Sequence, residues 1–220
     1  MPLSPLQQRP AGGTGALLNL LQGNAQIWRG RDIAPVVSRA TGFAPLDRLL
    51  PGHGWPVGAL TEFITACEGI GELSLPMPAL RSLCAQDYPV ALISPPHIPY
   101  APALKRAGIP LSRLLWIDVS SDDDARWAAE QILREGGAGA VLLWSDTHES
   151  RALRRLQLAA ETGQALAFVY RSPACRAHSS TAALRLVLES SPGGLAIEVI
   201  KARGGRTGRV VLDAVRAAHE

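Results

Sequence analysis

Continuous apolar runs alternate with amphipathic stretches of helical length through the middle of this chain. Residues 88–94 (YPVALIS), 114–119 (LLWIDV), 140–144 (AVLLW) and 165–170 (ALAFVY) are short and apolar without alternation. That pattern predicts strands buried on both faces, as in a parallel sheet covered by helices. Residues 74–86 read as a helix, because Pro76 and Pro78 are acceptable in a first turn. Residues 102–107 read as a second helix, stopped by Gly108. Ser121 and the three aspartates after it open a third, with Trp127, Ala128, Ile132 and Leu133 on one face and Gly136-Gly137 at its end. Residues 149–162 form a basic amphipathic helix, with Leu153, Leu156 and Leu158 set among Arg151, Arg154 and Arg155. Upstream lie a small helix over 45–50, a Gly/Pro turn over 51–56 and a strand over 58–65. Downstream the period changes to two. Residues 183–189 (ALRLVLE) and 195–201 (LAIEVIK) alternate apolar and polar positions, which predicts antiparallel strands with one wet face around the turn at 190–194. Residues 209–212 add a short edge strand, and no internal repeat is present. The expected fold is α/β: a mainly parallel sheet flanked by helices and ending in antiparallel strands.

The ends are organised differently. Residues 1–15 are rich in Pro, Gly and Gln and are expected to be disordered. Residues 16–21 (ALLNLL) suit a helix start, and 26–31 carry Trp28, Arg29 and Arg31 in a short apolar and basic island. This divides the chain into an N-terminal arm (1–37), a core (38–200) and a basic C-terminal tail (201–220). The arm is either a docking element or a strap packed on the core. The tail holds Lys201, Arg203, Arg206 and Arg209 among glycines. It is either a partner-binding segment or a solvated basic stretch.

The 220 residues are enough for one α/β domain, and a net charge of +3 is only a mild excess for a nucleic-acid binder. No apolar run approaches the ~18 residues needed to cross a bilayer. The N-terminus lacks the basic and apolar regions of a signal peptide, so a cytoplasmic protein without membrane contact is expected. Cys67, Cys84 and Cys175 are too widely spaced for a zinc pattern or a disulfide framework, and the five histidines are scattered. No metal and no cofactor are expected. Cys67 precedes a helix start that would lower its pKa, but Glu68 and Glu72 oppose that effect.

Residues 66–73 (ACEGIGEL) fall where a strand–loop–helix phosphate cradle would lie. Such a cradle needs glycines that turn backbone N–H groups toward the phosphates, a Lys for their charge and a hydroxyl for magnesium. Gly69 and Gly71 are present, but Glu72 stands at the lysine position and Leu73 at the hydroxyl position. A carboxylate repels a triphosphate, and leucine ligates no metal. The loop has the outline of a nucleotide site without its charges.

The segment before it, T-G-F-x-x-L-D-x-L-L-P-G-x-G-x-P-x-G, contains Thr41, Gly42, Leu46, Asp47, Leu49, Gly52, Gly54, Pro56 and Gly58. It resembles the entrance to the ATPase core of RecA-type recombinases. Residues 100–115 also resemble a Y-A-x-x-L-G-V-x-x-x-x-L-L segment of that family. The catalytic positions implied by the resemblance are missing together. Pro96 stands where a glutamate would activate water, and Trp144 where an aspartate would support magnesium, with Asp146 slightly downstream as a helix cap or displaced metal helper. Tyr170-Arg171 replaces an Asn-Gln switch, and the segment over 172–181 is short for a DNA-binding loop. Tyr100 lies near the adenine-stacking position and reads mainly as a surface residue; His97 reads as a locally bonded loop residue.

A RecA-like core without ATPase residues resembles two groups, the ImuA-type translesion-synthesis proteins and the SulA-type division inhibitors. The fuller entrance motif and the basic C-terminal segment favour the ImuA type. That resemblance implies a non-catalytic, SOS-induced accessory protein working beside an ImuB-type Y-family-like protein and RecA, and indirectly with an error-prone replicative-type polymerase. The arm residues Trp28, Arg29 and Arg31 and the cations Lys201, Arg203, Arg206 and Arg209 are the expected partner contacts. The alternatives are a SulA-type inhibitor of the tubulin-like division protein, a weak salt-sensitive DNA binder, and an ATPase with an unusual loop.

Overall fold

A computed structural model describes residues 36–213. Trp28, Arg29 and Arg31 lie outside the described residues. The entrance motif comes first. β1 (Ser38–Arg39) and β2 (Trp55–Pro56) pair antiparallel around α1 (Ala44–Asp47) and a 3-10 turn (Pro51–His53). The Thr41 backbone N–H donates to Asp47 Oδ1 at 3.0 Å, and the Phe43 N–H donates to Thr41 Oγ1 at 3.0 Å. The Thr and Asp of the motif therefore satisfy backbone donors around a four-residue helix too short to stand alone.

The core alternates β3 (Ala59–Thr65), α2 (Met77–Cys84), β4 (Val90–Ile93), α3 (Ala101–Arg106), β5 (Leu114–Ile117), α4 (Asp122–Glu135), β6 (Ala140–Trp144), α5 (Ser150–Gly163) and β7 (Leu166–Arg171). It closes with β8 (Leu184–Ser191), β9 (Gly194–Ala202) and β10 (Gly208–Leu212). The sheet order is β10-β9-β8-β3-β7-β6-β4-β5, parallel from β8 to β5 and antiparallel at β9 and β10. This is the mainly parallel α/β sheet expected from the apolar runs.

Strand alternation divides the core between the two sheet faces. Phe63, Leu92, Leu142, Phe168 and Leu186 pack with Leu80 and Leu83 of α2 and Leu104 of α3. Leu60, Ile93, Val141, Leu143 and Val169 pack with Ala129 and Leu133 of α4 and with Leu153 and Leu156 of α5. Each fully buried Leu, Ile or Phe contributes about 1.5–3 kcal/mol of transfer free energy, which explains why these runs carry no polar alternation. Ser121 caps α4 by accepting from the Asp124 N–H at 3.0 Å, and Gly136 ends it in the left-handed region at φ 65°. At Gly163 the two helices touch backbone to backbone: an added Cβ would lie 1.8 Å from the Leu133 carbonyl oxygen.

Several expectations are corrected. β5 is not a buried strand. It is the sheet edge, and Leu115 and Trp116 are 44% and 47% exposed. α2 begins at Met77 rather than 74, since a start at 74 would carry Pro78 past the first turn, where its missing N–H breaks a helical hydrogen bond. Leu158 lies on the solvent side of α5. β8 has no wet face along 184–188: its one charged residue there, Arg185, is buried. The segment expected as a tail from residue 201 continues in the sheet, because β9 runs to Ala202 and β10 pairs back from Gly208↔Val199 to Leu212↔Leu195. Among the described residues no helix is long and apolar enough to cross a membrane.

Candidate functional site

Open α/β sheets offer ligands a crevice at the carboxyl ends of their strands. Here that crevice is a cleft of about 860 Å³ at the ends of β3, β6 and β7. The loop after β3 forms one wall. Thr65 Oγ1 donates to the Cys67 carbonyl at 2.8 Å, and Gly69 and Gly71 adopt φ of 73° and 102°, a conformation that side chains resist. The Gly69 N–H, which a phosphate cradle would turn toward its anion, donates instead to Glu72 Oε1 at 3.1 Å. The loop thus closes on its own carboxylate. Gly69, Gly71, Glu72 and Leu73 are together in this one turn, with Leu73 packed against the core. α2 begins only at Met77, so no helix follows Gly71 directly.

The floor is aromatic. Trp144, at the end of β6, stacks on Tyr170 of β7 with ring centroids 4.6 Å apart and planes 7° apart. The Tyr170 hydroxyl donates to the Glu72 backbone carbonyl at 3.3 Å. Burial, with the Glu72 carboxylate as a second cause, pushes the Tyr170 phenol well above the usual tyrosine range. Pro96 lines the mouth, and nearby His97 Nε2 meets Glu68 Oε2 at 2.7 Å, both side chains exposed. Asp146 neither caps α5 nor joins a metal cluster: its Oδ1 accepts from the Ser172 N–H at 2.5 Å, tying the end of β6 to the end of β7. Among the described residues no three His, Cys, Asp or Glu side chains are grouped to hold a metal ion. Tyr100 is 67% exposed before α3 and does not line the cleft.

Behind the cleft wall lies a charged cluster that the sequence pattern did not single out. Glu62 of β3 is directly opposite Arg185 of β8, and Arg171 of β7 lies two residues along, opposite Ile64. The side chains of Glu62 and Arg171 are 0% exposed. Arg185 Nε donates to Glu62 Oε2 at 2.8 Å, Arg171 Nη1 lies 3.1 Å from Oε1, and Ser180 Oγ also donates to Oε1. The outer nitrogens of the two guanidiniums reach the Thr147 and Cys175 carbonyls. A charge inside an otherwise apolar parallel strand was the available signal, since such a group must find an opposite partner. Next to this cluster, the Cys175 sulfur lies 3.7 Å from His148 Nδ1, but it is fully buried and burial pushes the thiol up. A thiolate nucleophile is disfavoured there.

The predicted cations do not converge on the cleft. β9 runs antiparallel to β8, so its far end and the turn after it reach the amino end of β3, opposite the cleft. The Arg206 N–H donates to the Leu49 carbonyl at 2.8 Å, and a Cβ on Gly205 would meet that oxygen at 2.8 Å. The basic turn is therefore seated on the entrance motif. Lys201 Nζ donates to the Ser180 carbonyl at 2.7 Å, and burial, with Arg203 and Arg185, lowers its pKa. Arg209 reaches Glu189 Oε2 at 3.3 Å; Arg203 and Arg206 are exposed.

No family model and no curated protein matches this chain. Among solved structures, the crystal structure of SulA from Pseudomonas aeruginosa is similar at 27% identity, covering 51% of this chain and 97% of that one, with a TM-score of 0.43.

Proposed function

We propose that the chain is a non-catalytic, RecA-like accessory protein of SOS-induced translesion DNA synthesis, of the ImuA type. It acts through contacts with an ImuB-type Y-family-like protein and with RecA. The observation that carries this reading is the Gly69 N–H bound to the Glu72 carboxylate, in the loop where a triphosphate would need N–H donors and an ammonium. Phosphoryl transfer depends on positioned phosphates, a metal and a base. Glu72 and Leu73 of the loop, and Pro96 and Trp144 of the cleft lining, stand at the positions that would supply them. A fold that keeps its entrance motif without those groups is suited to binding.

The contact surface assigned to the partners is the basic turn, where Arg203 and Arg206 are exposed and the Arg206 N–H is bonded to the Leu49 carbonyl. Pull-downs of the full chain with an ImuB-type protein, with RecA and with the tubulin-like division protein test the reading. Capture of the first two is expected, lost in Arg203→Ala/Arg206→Ala at an unchanged melting temperature. Capture of the division protein alone would replace it with a SulA-type inhibitor. Unchanged capture by the double variant would remove the turn from the interface.

A further inference from the structure

We propose, on the reading that the basic turn is the partner contact, that it takes an acidic segment of a partner protein, and that Arg48 of the entrance motif binds this segment together with Arg203 and Arg206. The surface is assembled from two distant parts of the chain. The Arg206 N–H donates to the Leu49 carbonyl at 2.8 Å. A Cβ on Gly205 would lie 2.9 Å from the Pro51 nitrogen, and one on Gly208 would lie 3.2 Å from Leu49 Cδ2. The turn is thus packed against residues 49–51, and Arg48 stands immediately before them, exposed. Its charge is uncompensated. Arg176 and Arg209 are paired with Glu198 and Glu189. Arg48, Arg203 and Arg206 have no acidic partner among the described residues, and Arg203 Nη2 reaches only the Thr181 carbonyl, at 3.5 Å. Asp47, next to Arg48, accepts the Thr41 N–H. Lys201 adds a fourth cation nearby: after burial, the Arg203 guanidinium is the next cause of its lowered pKa. Like charges so placed are stabilised by an anion between them, and the arginine fork matches a carboxylate in two parallel hydrogen bonds.

The chain has no acidic run of its own to offer. Outside the described residues the only side-chain carboxylates are Asp32 and Glu220, beside Arg9, Arg29, Arg31 and Arg216. Three consecutive acids occur only at 122–124, and Arg126 and Ser121 already engage them. The acidic segment therefore comes from another molecule. A nucleic-acid strand fits the surface less well. Sequence-tolerant binding of single strands uses aromatic rings as stacking platforms. The exposed rings of Tyr88, Tyr100, Trp116 and Trp127 lie on or beside β4, β5 and α4, toward the sheet edge opposite β9 and β10. Duplex binders draw on about 6–10 phosphate contacts, more than three arginines supply.

Fluorescence anisotropy of a labelled oligoglutamate peptide against the full chain tests this, with an oligoserine peptide and a single-stranded oligothymidylate as comparison probes. Oligoglutamate is expected to bind below ~1 mM at low salt, oligothymidylate more weakly and oligoserine not at all. Arg48→Ala should weaken the peptide about threefold, and Arg203→Ala/Arg206→Ala about tenfold. Raising salt from about 0.05 to about 0.3 M should weaken it as well. Arg154→Ala, at an exposed arginine of α5, should leave it unchanged. No saturable peptide binding at ~1 mM, tighter binding of oligothymidylate, or unchanged affinity in Arg48→Ala overturns the proposal, as does an equal loss in Arg154→Ala. Capture of the ImuB-type protein and RecA that depends on Arg203 and Arg206, without peptide binding, would overturn the acidic segment alone. Peptide binding by a chain that captures neither protein would support the acidic segment and sink the translesion reading.

Discussion

Replacing Glu62 with Gln keeps the side-chain shape and removes the single carboxylate between two buried guanidiniums. Arg171 is 0% exposed and Arg185 9% exposed, so solvent cannot take over the lost interaction. Each arginine keeps one carbonyl partner, at Thr147 and Cys175, but neither carbonyl supplies charge. The amide introduced by Glu62→Gln also turns donors toward at least one guanidinium. Removing one partner of a buried ion pair costs about 3–5 kcal/mol, a large share of a typical total of about 5–15 kcal/mol. At about 2–4 °C per kcal/mol for a chain of this size, the melting midpoint should fall by roughly 6–20 °C. Urea titration followed by far-UV circular dichroism measures the loss directly. A companion triple variant, Glu62→Leu/Arg171→Met/Arg185→Leu, removes the charges together with their desolvation penalty and should recover most of that loss. A loss below about 1 kcal/mol in Glu62→Gln would refute the reasoning, because it would mean the cluster behaves like a solvated surface pair.

Two other perturbations probe the neighbouring packing. The folded-state pKa of Tyr170 is raised, so the stabilisation from its neutral phenol is whole below the unfolded value of about 10 and is lost as pH rises beyond it. Unfolding free energies from pH 8 to 11 should therefore fall more steeply for wild type than for Tyr170→Phe; parallel curves would contradict the burial of that hydroxyl. Gly163→Ala should destabilise by about 1–3 kcal/mol, although alanine is the better helix former by about 1 kcal/mol. The added Cβ meets the Leu133 backbone rather than a movable side chain. A higher melting temperature in that variant would show that α4 and α5 separate without cost.

The strands β4, β6 and β7 were legible because runs of apolar residues without alternation suit a segment covered on both faces. Residues 114–117 share that composition, yet β5 is half exposed, because edge position depends on strand order and not on local residues. Pro76 and Pro78 are both compatible with a helix start; that the second must itself sit in the first turn, moving the start to Met77, is the stricter consequence of the same rule. Arg185 has the sequence setting of a wet face on an alternating strand. Only the register opposite Glu62 reveals it as buried. The loop lacking its lysine and hydroxyl was visible in the residues, whereas the fold-back of Glu72 onto Gly69 depends on loop conformation. The basic turn was legible as charge, but its place on Leu49 follows from the β9–β10 hairpin, a long-range pairing.

Central to the proposed function is that the loop after β3, whose Gly69 N–H is bound to Glu72 Oε1, takes no nucleotide phosphate. Titration of a fluorescent ATP analogue with magnesium, up to millimolar concentration and alongside ADP, tests this most directly. Wild type is expected to show no saturable binding. Glu72→Lys is expected to release no phosphate, because Leu73, Pro96 and Trp144 still supply neither hydroxyl, base nor metal carboxylate. Saturable binding by wild type, or turnover by Glu72→Lys, would contradict the account and make the cleft a nucleotide site.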